Sequence, residues 1–134
     1  MTDDSILEAE EATPIEEQRY EEAYRETRRA LDEAIQRLAV MKELEMDPDT
    51  SSDIGAELLE LKRDRADLVR ANLAFNTGRA VMQPPSETLV NEIIANATEV
   101  VELTVERATV AAVVRIATKA LTKFAEIQDI RKSA

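Results

Sequence analysis

The chain has no cysteine, no histidine and no tryptophan among its 134 residues. Without cysteine there can be no disulfide, no zinc–thiolate site and no thiol redox role. Without histidine the commonest general base, the physiological pH switch and the favoured metal ligand are all missing. Glycine occurs only twice, at Gly55 and Gly78, and proline four times. So few breakers leave room for few turns, and two isolated glycines cannot build a phosphate loop. Aromatics make up 3% of the chain, which leaves the core to leucine, isoleucine, valine and alanine. No window alternates with period two between turn signals, so no sheet is expected. Met1 to Glu11 is acidic and does not read as a signal peptide. The most apolar region, Leu103 to Ile127, contains Glu106, Arg107, Arg115, Lys119 and Lys123, a charge density that excludes a bilayer span. These absences point to a cytosolic protein.

What is present is an apolar fraction of 44%, enough for one all-α domain over residues 13–134. Residues 1–12 are polar and acidic and read as a disordered tail. Thr13-Pro14-Ile15-Glu16 is a helix start, with a capping threonine, a proline at the first helical position and a glutamate placed to reach back. That helix is expected to run to Met46. Tyr20, Tyr24, Thr27, Leu31, Ala34, Leu38 and Met41 form its buried stripe at spacings of four and three. Asp47 to Asp53 reads as a connector. A second helix follows from Ile54 to Thr77, its stripe made by Ile54, Leu58, Leu61, Leu68 and Phe75 and interrupted by Arg65 and Asn72. Leu59, Val69 and Leu73 lie beside that stripe. Gly78 suits the C-terminal left-handed position, and Ser86 caps a third helix.

From Ser86 to Ile130 there is neither glycine nor proline. Placed at about 100° per residue, the apolar positions from Leu89 to Thr104 occupy one side of the wheel. Those from Val110 to Ile127 occupy the other. The stripe changes sides between Glu102 and Thr109, more than heptad drift of about 20° per repeat can produce. Either the helix breaks near 104–109 and folds back, giving a four-helix bundle, or three long helices leave an overhang that a second chain completes. Pairing the second and third helices about Val81 and Met82 sets Asn72 by Asn91, Arg65 by Glu99, Leu61 by Leu103 and Ile54 by Ala108. The apolar residues beyond 109 then have no mate. Because no breaker residue marks a turn, the overhang and a homo-oligomer are the favoured expectation.

Chemistry has little to stand on. Glu99-Val100-Val101-Glu102 and Glu126-Ile127-Gln128-Asp129 resemble the ExxE…ExxD pattern of all-α nucleotide pyrophosphatases, which implies a magnesium site and nucleotide hydrolysis. On a continuous helix Glu102 and Glu126 stand about 36 Å apart, and Glu99 and Glu102 fall on the face opposite the early stripe. No family is identified from this pattern. Glu57, Glu60, Asp64 and Asp67, interleaved with Lys62, Arg63 and Arg65, read as ordinary helix-surface pairing. No catalytic residue, metal or cofactor is therefore expected.

The net charge of -11 is unevenly placed, with 19 acidic and 6 basic residues in the first 60 positions against 9 and 11 in the rest. A chain repelled by phosphate is not expected to bind nucleic acid. Arg107, Arg115, Lys119 and Lys123 form a basic face on the last segment, but without tryptophan anchors no membrane binding is expected. The leading expectation is a non-enzymatic helical binding module of the inhibitor, immunity, chaperone or adaptor type. It would meet its protein partner, or a second copy, through Val110, Val113, Val114, Ala117, Leu121 and Phe124. The alternatives are a structural oligomer subunit and a magnesium-dependent nucleotide hydrolase.

Overall fold

The computed structural model describes residues 14–76, 85–104 and 107–128. Among these residues there are four helices and no strand: α1 (Pro14–Leu44), α2 (Pro48–Asn76), α3 (Glu87–Val101) and α4 (Val110–Gln128). The expected acidic tail, the Thr13 cap, Thr77 and Gly78 lie outside the described residues.

The first connector is shorter than the sequence suggested. Asp47 caps α2 directly: its Oδ2 accepts from the Thr50 backbone N–H at 2.9 Å and from the Thr50 hydroxyl at 2.7 Å. These bonds hold the Asp47 carboxyl below the usual range. Pro48 takes the first helical position, where its missing N–H costs nothing. The Asp-Thr-Ser-Ser-Asp run that resembled a loop is thus the opening of α2, and the connector is residues 45–47.

The third segment is two helices. The Glu102 N–H bonds back to the Thr98 carbonyl and ends α3. The Thr104 carbonyl then accepts from the N–H groups of both Arg107 and Ala108. Thr109 Oγ1 accepts from the Ala112 N–H at 3.1 Å and starts α4. The chain turns on backbone and threonine hydrogen bonds, which satisfy the exposed ends of both helices. A breaker residue is not needed, and the fold-back replaces the expected overhang.

The helices run up, down, up and down. The Tyr20 hydroxyl donates to Asn72 Oδ1 at 3.0 Å, and Asp32 pairs with Arg65, so α2 is antiparallel to α1. Arg29 donates to Thr98 Oγ1 and Arg37 to the Val101 carbonyl, so α3 runs parallel to α1. Lys123 pairs with Glu92, and Phe124 packs near Tyr20 and Tyr24, so α4 is antiparallel to both α1 and α3. Helix α1 touches the other three, α3 and α4 pair, and α2 meets α4 only briefly. Among the described residues α2 and α3 make no close approach. The expected pairing of α2 with the following helix is therefore corrected: α3 lies on the other flank of α1, and the partners of Arg65 and Asn72 are Asp32 and Tyr20.

The reason lies in α1. Its expected stripe is buried or half-buried throughout, and Ala23 and Ala30 are fully buried as well. At about 100° per residue these alanines fall between the Tyr20 stripe and the flank of Arg37 that meets α3. Short side chains there let α3 come close, so α1 has two buried sides rather than one. The core also contains Thr27, whose hydroxyl bonds the Ala23 carbonyl, and Asn96, whose Nδ2 finds no acceptor among the described residues. An unsatisfied donor of that kind costs about 1–3 kcal/mol.

All four aromatic residues of the chain meet at one end of the bundle. Tyr20 lies 4.1 Å from Phe75 and 5.9 Å from Phe124 between ring centroids, and Tyr24 lies 6.4 Å from Phe124. Burial pushes the Tyr20 phenol well above its ordinary range. The opposite end is aliphatic and less covered, with Val40, Leu44, Met46 and Val101 exposed.

Candidate functional site

The six residues expected to form a binding face divide into two groups. Val113, Ala117 and Phe124 are buried in the core that α4 shares with α1 and α3. The premise that this face lacks a mate within the protomer is thereby corrected. Val110, Val114 and Leu121 are only half-buried. The helical wheel puts them, with Ala125, on the flank of α4 turned toward α2.

Between that flank and α2 lies an open groove of about 230 Å³, lined by Asp64, Asp67, Leu68, Ala71, Leu121, Phe124 and Ala125. It exists because α2 is seated on α1 along a narrow seam. Ile54, Leu58, Leu61, Leu68 and Phe75 recur at heptad positions, and a stripe of that width can face one neighbour closely but not two. The floor of the groove is apolar. Its α2 wall carries Asp64 and Asp67, the end of a row, Asp49, Asp53, Glu57, Glu60, Asp64 and Asp67, that falls within a sector of about 80° on the wheel. Asp67 is ion-paired with Arg70 of its own helix at 2.8 Å. The Asp64 carboxyl is pushed up from its ordinary range, first by burial, then by the charges of Glu60 and Asp67, with Arg63 opposing. A cation brought into the groove would relieve that repulsion.

The magnesium pattern is not assembled. Glu99 and Glu102 are exposed at the C-terminal end of α3. Glu126 lies toward the other end of the bundle, in a cleft of about 550 Å³ with Glu16, Arg19 and Glu92. Asp129 lies outside the described residues. Among the described residues no group of three or more carboxylates is placed to hold a metal ion. Of the basic face, Arg107, Arg115 and Lys119 are exposed, whereas Lys123 is bound to Glu92, and that bond raises its pKa.

The expected helix-surface pairing holds for Asp67, which pairs with Arg70, and five of the six carboxylates are exposed; Asp64 alone is half-buried, in the groove. Their grouping is a usable signal: every carboxylate from Asp49 to Asp67 keeps to one side of the α2 stripe, and the lysine and arginines do not share it. Comparison of the chain with family models, with curated proteins and with solved structures finds no match.

Proposed function

We propose that this chain is a non-enzymatic protein-binding module, working in the cytosol, whose α2–α4 groove takes a cationic amphipathic helix. One observation carries the reading: the groove joins an apolar floor to two carboxylates, Asp64 and Asp67, on its α2 side only. A helix with apolar residues at three- and four-residue spacing covers the half-buried Ala71, Leu121 and Ala125, while its lysines or arginines reach Asp64 and Glu60. The apolar contact supplies affinity; the charges set orientation and speed encounter. No partner group needs to react, which suits a chain without histidine or cysteine.

The test is a fluorescence anisotropy titration with a labelled leucine–lysine peptide designed to fold as an amphipathic helix. Wild type is expected to bind it, more weakly as salt rises. The Asp64→Lys, Asp67→Lys double variant is expected to lose about tenfold or more, equivalent to about 1.4 kcal/mol. Equal binding of a scrambled peptide of the same charge, or undiminished binding by the double variant, overturns the reading.

A further inference from the structure

We infer that the groove also takes a second copy of this chain, seated front to back, with the outer flank of one protomer's α2 in the α2–α4 groove of the next. The inference rests on the proposed reading of the groove and identifies an occupant for it.

The opposite flank of α2 matches the groove in kind. Leu59, Ala66, Val69 and Leu73 are exposed there, and the three large ones are 59%, 38% and 60% accessible. With Lys62 they follow the spacing three, four, three, four, so they form a stripe, apolar but for that lysine, along one side of a helix. This stripe stands about 110° from the seam that α2 buries on α1. Lys62 and Arg63 lie in or beside it, Arg70 beside it is paired with Asp67 of its own helix, and from Gly55 to Leu73 that sector holds no acidic residue. The outer flank of α2 is therefore itself a cationic amphipathic helix face, the ligand class that the groove fits.

On α2 the groove lining runs from Asp64 to Ala71, about 10 Å, the length of the central flank from Lys62 to Val69. The two faces occupy different sectors of one helix, so a protomer can present both together. Each face is a poor match for itself: flank on flank opposes Lys62 and Arg63 to their copies, and groove on groove opposes Asp64 to its copy. Only flank in groove brings unlike charges together. Such a contact is heterologous, and it propagates unless the rotation between copies closes a ring.

Complementation of two variants of the full chain tests this by sedimentation velocity. Leu59→Gln with Val69→Gln spoils the flank at exposed positions, adds no charge that could match a lysine in the groove, and leaves the groove whole. Asp64→Lys with Ala125→Lys spoils the groove and leaves the flank, with its Asp67–Arg70 pair, whole. Circular dichroism first establishes that both remain helical. Wild type is expected to associate as concentration rises to about 100 μM, where an interaction of micromolar strength is nearly saturated, and less so at high salt. Each variant alone is expected to be monomeric. Their equimolar mixture is expected to form a one-to-one dimer and nothing larger, because only one productive contact is left. Wild type that stays monomeric at low salt overturns the inference, as does a mixture that fails to associate or a single variant that assembles like wild type. The leucine–lysine peptide separates the two levels: a monomeric wild type that still binds it removes only the second copy, and one that does not removes the groove reading as well.

Discussion

Helices α2 and α4 both lie against α1, yet they are held very differently. The 29 residues of α2 fully bury only Ile54, Leu61 and Leu68. The 19 residues of α4 bury Val113, Ile116, Ala117, Ala120, Phe124 and Ile127. The difference is not length but the width of the buried stripe. Helix α4 sits in the crease between α1 and α3 and is covered across a broad arc. Helix α2 touches α1 along a single heptad seam, so most of its circumference stays open. An anchored helix can do little except stabilise. A seam-held helix can carry an acidic flank and a basic flank at once.

If this contrast is right, deletions in α4 should cost more than deletions in α2. Phe124→Ala removes a buried ring packed near Tyr20 and Tyr24 and is expected to cost about 3–5 kcal/mol. Leu61→Ala, on the α2 seam, is expected to fall near the lower end of the usual range, at about 2 kcal/mol. Urea denaturation of both variants measures the difference. Equal losses would mean that α2 is as firmly embedded as α4, and the contrast would fail.

Leu121→Asp probes the boundary between the two helices. Leu121 packs against the core but is half exposed on the groove. The charge can turn toward water, so the expected cost is about 1–3 kcal/mol, in the ordinary range for one substitution, with the helical circular dichroism retained. The same variant should bind the leucine–lysine peptide poorly. A chain that unfolds outright would place Leu121 with the α4 core rather than with the groove.

The smallest effect concerns Asp64. Its folded-state pKa lies above the unfolded value, so the folded form holds the proton more tightly. Its ionisation therefore works against folding, and that penalty grows as pH rises through the carboxylate range. Asp64→Asn should be slightly more stable than wild type at neutral pH, and the advantage should vanish as pH falls below the unfolded value. Thermal melts at pH 7 and pH 3 decide it. An advantage that persists unchanged at pH 3 would mean that electrostatics is not its source.

The sequence carried the helical periods clearly. The α1 stripe from Tyr20 to Met41 is buried or half-buried as its spacing requires, and the change of stripe between Glu102 and Thr109 marks the turn between α3 and α4. Ser86 caps α3 as expected, its Oγ accepting from the Leu89 N–H at 3.1 Å. Neighbourhood was not legible. Pairing α2 with the next helix assumed that consecutive elements touch, whereas Ala23 and Ala30 drew α3 to the far flank of α1. Alanine at a surface position and alanine at a close helix contact look alike in one sequence. The groove was hidden for a similar reason. Glu60 and Asp64 meet the same local neighbours whether or not another helix stands across a groove from them, and only tertiary placement tells the cases apart.

The gathering of every aromatic ring at one end makes this molecule optically lopsided. With no tryptophan, its ultraviolet emission comes from Tyr20 and Tyr24, both of which lie in that cluster. Tyrosine emission therefore follows the loosening of the aromatic end alone, while the aliphatic end around Val40, Leu44 and Val101 gives no signal of its own. Far-ultraviolet dichroism, by contrast, weighs all four helices by length. A melt recorded both ways compares the two ends without any label.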